Sequence, residues 1–212
     1  MKKYKLTTET LQFAGRTLHR IKAVKDFDSI KAGEFGGWIE NEKNLSQDDN
    51  AWIYGDAMVY GNAKVYGNAN VSGNANVFGY AEVYGNAKVY GNANVFGNAE
   101  VYGNANVSGN ANVSGNAAIK GDANVFGNAA IKGDAKVHDA VDYIVFKNFW
   151  SSGRYFTWTS SNNKWSVGCF YGTGEELIKK AYSDSEKSGR EYERVVRYVE
   201  SILADEKKEK SN

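Results

Sequence analysis

The 212-residue chain has no proline, two histidines and one cysteine, Cys169. A single thiol excludes a disulfide framework, and two imidazoles cannot furnish a three-histidine zinc site. There is no run of about twenty apolar residues, which excludes a membrane-spanning helix. The opening Met1-Lys2-Lys3-Tyr4-Lys5 is too polar for a secretory leader, so the expected location is the reducing cytoplasm. An excess of one charge is also missing: residues 1–50 carry nine basic and eight acidic side chains, 51–140 five and six, and 141–212 twelve and eleven. A near-neutral middle lacks the clustered Lys and Arg that neutralise duplex phosphates, so nucleic acid is disfavoured as a partner.

What is present is one phrase, Ala-x-Val-aromatic-Gly-Asn, repeated from residue 51 to residue 140. Fifteen apolar anchors recur every six residues, from Ile53, Val59 and Val65 to Ile131 and Val137. Alanine stands two residues before each anchor. In extended chain these two positions share a face, so each hexad sends one alanine and one β-branched residue inward and its neighbours outward. The next pair, as in Gly61-Asn62 or Gly121-Asp122, turns the chain at a corner. Three sides make a triangular coil of eighteen residues, and stacked coils pair through backbone bonds at roughly 4.8 Å. A disordered Gly- and Asn-rich tract would not need an unbroken Ala and Val register. Tyr80 replaces the usual corner Asn; a bulky residue at a positive-φ corner is costly, and it reads as repeat drift or a locally altered turn.

The array resembles the hexapeptide-repeat left-handed β-helix. The resemblance implies a mainly β chain: a single-stranded left-handed parallel β-helix of about five coils over 51–140, a small β N-terminal cap over 1–50 and an α+β C-terminal domain over 141–212. Sorted by eighteen, the residues after the anchors form columns. One side carries Tyr66, Tyr84, Tyr102, Lys120 and His138, the next Tyr60, Phe78, Phe96, Ser114 and Lys132, and the third Tyr54, Ser72, Tyr90, Ser108 and Phe126. Before the anchors, Asn76, Asn94 and Asn112 share the Phe side, where they are expected to bond one another along the axis. Two adjacent aromatic columns of this size mark an interface. Self-association is preferred over cover by the chain's own ends, and both over a foreign ligand such as a sugar or nucleotide stacking on the rings.

The ends have ordinary globular composition, as solenoid caps do. A hairpin is expected around Ala14-Gly15-Arg16, and Trp38, Leu45 and Trp52 are expected to plug the open core. Beyond Ala140 the alternation in Asp142–Phe146, Tyr155–Thr159 and Trp165–Phe170 predicts about three antiparallel strands. Thr173 with Glu175 and Glu176 predicts a capped helix through Ala181. A second helix is expected over about 188–204, with Tyr192, Val195, Val196, Val199 and Ile202 on one stripe and a fraying charged tail after Asp205. Gly37-Trp38-Ile39-Glu40 and Asn44-Leu45-Ser46 ahead of the array, and Gly168-Cys169-Phe170-Tyr171-Gly172-Thr173 behind it, resemble hexapeptide-repeat proteins of phages and prophages. That resemblance implies a viral protein acting in the bacterial cytoplasm, with a role in modulating the host or its defences.

Enzymes on this kind of helix depend on histidine, and His19 and His138 are the only two here. Cys169, in a predicted strand with no histidine nearby, reads as a buried structural thiol. Gly172-Thr173-Gly174 lacks the lysine of a P-loop and reads as a helix cap. Arg154 and Lys164, among tryptophans, flank a cation or phosphate pocket or are surface charges, the latter preferred. No catalytic residue, metal or cofactor is assigned. The leading expectation is a non-enzymatic interaction protein, a dimer or trimer, that meets a host or viral protein partner. Its contact residues are Tyr60, Phe78, Phe96, Tyr66, Tyr84, Tyr102, Asn76 and Asn94 on the array and Trp150, Arg154, Trp158 and Trp165 in the C-terminal module. The alternatives are a ligand-sequestering protein and a divergent acyltransferase.

Overall fold

A computed structural model describes residues 2–209. The chain opens with a hairpin, β1 (Tyr4–Phe13) and β2 (Arg16–Ala23), turned at Ala14-Gly15 and succeeded by β3 (Phe35–Ile39). Then come fifteen two-residue strands, one per hexad, from β4 (Trp52–Ile53) to β18 (Lys136–Val137). Each pairs in parallel with the strand one turn away, as Val77 with Val95, Val83 with Val101 and Val89 with Val107. The result is a three-sided β-solenoid. The alanines and anchors of all fifteen hexads are at most 1% exposed, so the core is a filled column of one Ala and one Val or Ile per side. Burying each anchor contributes about 1.5 kcal/mol or more, and each turn touches only its neighbours.

The winding amounts to about six turns, one more than the anchors alone imply. An irregular first turn precedes the hexads: Ile39 pairs with Val59 and Leu45 with Val65, both in parallel. Of the three expected plug residues only Leu45 takes an anchor's inward place, whereas both tryptophans stand at outward strand positions. Trp38 pairs with Met58, an outward position, and packs outside with Leu18 and Tyr60. Trp52 pairs with the outward Asn70 and is buried between Tyr4 and Phe27. Parity decides this, because both tryptophans immediately precede an anchor. The opening is closed by Ile21 and by the backbone of Gly36 and Gly37. A Cβ on Gly37 would come within 2.5 Å of Ile53 Cγ2, so glycine takes the place that alanine holds in later turns.

The C-terminal module is a four-stranded antiparallel sheet, β19 (Tyr143–Lys147), β20 (Tyr155–Thr159), β21 (Lys164–Val167) and β22 (Phe170–Gly172), with helices α1 (Gly174–Asp184) and α2 (Glu186–Glu209). The third strand expected from the sequence is two strands, because Gly168 turns the chain at φ +56°. Cys169 lies in that turn and is exposed, which overturns its reading as a buried thiol. Thr173 caps α1 reciprocally with Glu176. The tail expected to fray continues α2 to Glu209, and residues 210–212 lie outside the described residues. Among the described residues no helix is long and apolar enough to cross a membrane.

The module also finishes the solenoid. In each inner turn a strand amide donates to the next turn, as Asn112 N–H to the Ala129 carbonyl and Ala118 N–H to that of Ala135. In the last turn the amides of Ala130 and Lys136 donate instead to the hydroxyls of Thr157 (2.9 Å) and Ser161 (2.7 Å). On two of the three sides the edge that would recruit another chain is thereby occupied.

Candidate interaction surface

The coil pitch puts the outward rings in register. On the Phe side Tyr60 and Phe78 lie 5.1 Å apart and Phe78 and Phe96 4.9 Å apart, with ring planes within 2° of parallel. On the Tyr side Tyr66, Tyr84 and Tyr102 succeed one another at 4.9 Å with the same alignment. The centroid spacing matches the coil pitch of roughly 4.8 Å, so the ring stacking follows directly from the stacking of the turns.

The two columns differ in what surrounds them. The Phe column is covered at its start: Tyr60 is 8% exposed, packed edge-on by Phe13 and flanked by Leu18 and Trp38. Phe78 and Phe96 are half-buried. On the Tyr side the hydroxyls are tied to acids one turn on, Tyr66 to Glu82 and Tyr84 to Glu100, each at 2.9 Å. Burial, with the adjacent carboxylate, holds both hydroxyls well above the ordinary tyrosine range. Lys64 reaches the same Glu82 at 3.3 Å. Where Tyr102 needs an acid, the chain has Ala118.

The asparagines divide their work differently from the sequence expectation. Asn76, Asn94 and Asn112 do not bond one another. Each donates back to the carbonyl of the corner residue two before it, at 3.2 Å. The axial ladders belong to the corners: Asn50, Asn68, Asn86, Asn104 and Asp122 form one, each amide donating to the next oxygen at 2.9–3.2 Å. Asn74, Asn92 and Asn110 form another. Tyr80 interrupts the third, between Asn62 and the Asn98–Asn116 pair. Its expected strain is absent, because Gly79 alone carries the positive φ of that corner. The ring projects beside the Phe column, 65% exposed.

The C-terminal candidates are mostly interior. Trp158 and Trp165 are 3% and 2% exposed and build the module's own core with Phe156 and Tyr192. Trp150 packs edge-on against Phe156 and Tyr192, its indole N–H buried without an acceptor. These side chains hold the module together and offer little surface. Arg154 is exposed, at a cavity that also contains Cys169. Leu11, Phe13 and Leu18, expected only as hairpin residues, extend the ringed side onto the hairpin, and the outward parity of Trp38 is the sequence signal that points there. The histidines lie at opposite ends of the solenoid: His19 in β2, its Nδ1 3.3 Å from the Thr7 carbonyl oxygen, and His138 exposed just after β18. Among the described residues no group of three or more His, Cys, Asp or Glu is placed to hold a metal ion.

Fold and surface together define a hexapeptide-repeat β-solenoid with a capping module. Over 62 residues the chain is 39% identical to an uncharacterised acetyltransferase of Escherichia coli K12, YdcK, an alignment covering 26% of this chain and 19% of that protein. The chain thus matches about a fifth of the length of that curated relative. No protein-family model matches the chain.

Proposed function

We propose that the protein is a non-enzymatic scaffold that works as a homo-oligomer, joined through its ringed sides, and presents its C-terminal module to a protein partner. The observation behind this reading is the pair of in-register ring columns on adjacent sides, with Tyr80 exposed at the corner between them. Charge order on the Tyr side supports it: Lys64, Glu82, Glu100, Lys120 and Lys136 succeed one another turn by turn. Two copies laid antiparallel set the turn of Glu100 against that of Lys120, and the turn of Glu82 against that of Lys136, as a two-fold contact requires. Light scattering on the purified protein tests this, with a dimer expected from the two-fold contact and Glu100→Lys shifting it toward monomer. A wild-type protein that stays monomeric at high micromolar concentration removes the reading. Its most specific form, a phage-encoded protein that counters host defence in the bacterial cytoplasm, rests on the resemblance of the flanking segments. A pull-down from host lysate with the full chain is its test.

The match to the acetyltransferase favours a second reading, acyl transfer with His138 as general base. It predicts acetyl-coenzyme A turnover that His138→Ala abolishes. Absence of turnover in the wild-type oligomer leaves the scaffold reading in place.

A further inference from the structure

The C-terminal module contains a cavity of about 380 Å³ that the ringed sides do not touch. It is walled by the β19–β20 loop, the Gly168-Cys169 turn, α1 and the start of α2. Three observations give it a chemical character. First, the Arg154 guanidinium lies against the turn, with Nη1 3.4 Å from where a Cβ on Gly168 would stand, and among the described residues no acid or carbonyl accepts from it. Second, the other charged residues of the lining, Lys180 and Asp184, pair with each other, so Arg154 leaves one positive charge uncompensated. Third, Tyr192 is 8% exposed, and its hydroxyl accepts from Asn148 Nδ2 at 3.0 Å. Among the described residues nothing accepts the proton of that hydroxyl. Asn148, 2% exposed, is itself fixed by reciprocal bonds with Ser151, so this wall is set before any ligand arrives.

A free guanidinium and a free phenolic donor lining one cavity of mixed polar and apolar walls are the recognition set for an oxyanion on a partly apolar ligand. We propose that this cavity binds a small molecule through a phosphate or carboxylate group held by Arg154 and Tyr192. The volume suits a ligand of metabolite size. The site is independent of the solenoid's ringed sides, so its failure leaves the scaffold reading untouched.

Cys169 is the only thiol of the chain and lines the same cavity, so its alkylation reports on this site alone. The experiment is the rate of Cys169 modification by neutral iodoacetamide in the full-length protein, titrated with inorganic phosphate and, separately, with acetate. Saturable slowing of about threefold or more is expected with phosphate, acetate or both, and sodium chloride at matched ionic strength should not reproduce it. Which anion protects distinguishes a phosphate site from a general oxyanion site. In Arg154→Gln the protection should disappear; among the described residues the side chain makes no hydrogen bond or ion pair, so this variant should fold. Negatively charged iodoacetate should also lose about threefold or more in rate relative to iodoacetamide in that variant. Equal slowing by chloride, no slowing by either anion, or protection that survives Arg154→Gln overturns the proposal.

Discussion

The solenoid and the module that caps it are stabilised in opposite ways. Every side of every turn of the solenoid repeats the same two inward residues, so stability is a sum of near-identical steps between neighbours. The module instead gathers Phe156, Trp158, Trp165 and Tyr192 with side chains from both helices into one cluster, where each ring is unique. Loss of one side chain should therefore be local and graded in the first region and collective in the second.

The largest expected effect is Trp165→Ala, at about 3–5 kcal/mol, because it empties the centre of the module. Calorimetry should show the module's transition lost while the solenoid's persists; a single unchanged transition would mean that the two regions unfold as one. Val95→Ala in mid-array should cost about 2 kcal/mol. Hydrogen exchange should locate the loss in the turns next to Val95, with the module still protected.

Alkali should act on the solenoid through its Tyr side. Tyr66 and Tyr84 are held above the ordinary value, so above pH 10 the unfolded chain releases protons that the folded one keeps. Their contribution is whole below pH 10 and falls as pH rises beyond it. One unit above 10, each such ring accounts for at most about 1 kcal/mol after allowance for solvent screening. Thermal melts of Tyr84→Phe against wild type from pH 9 to 11 should show the variant less sensitive to pH. The smallest effect is a gain: Tyr80→Asn restores the interrupted corner ladder and should stabilise by about 0.5–1 kcal/mol in urea titrations. No gain would mean that the corner amides set register and contribute little energy.

The same contrast explains what the sequence discloses. Each inward place in the array is stated fifteen times, so chance substitutions at single positions cannot hide it, and the solenoid and its ring columns are legible from spacing alone. For Trp38 and Trp52, size suggests a plug, whereas their parity, one residue before an anchor, sends them outward. Asn76 and its counterparts are expected to form the ladder, yet their amides donate to the corner carbonyls two residues back, and the corner asparagines form the ladder instead. In the module nothing repeats. Gly168 can be read as a strand residue or a turn, and only the pairing of Val167 with Phe170 decides it. The cavity beside Arg154 comes from four separate segments and has no local signature.

The ring planes turn by no more than 2° from one turn to the next. Each strand pairs in parallel with the strand eighteen residues away, so the solenoid is a ruler whose unit is eighteen residues. Excising one whole turn from mid-array would bring the hairpin and the capping module closer by about 4.8 Å while leaving them facing the same way. Excising a single hexad would instead swing the module by a third of a revolution. Lineages that gain or lose repeats can thus change the distance between the two ends in discrete steps without re-aiming either one, provided they do so in threes.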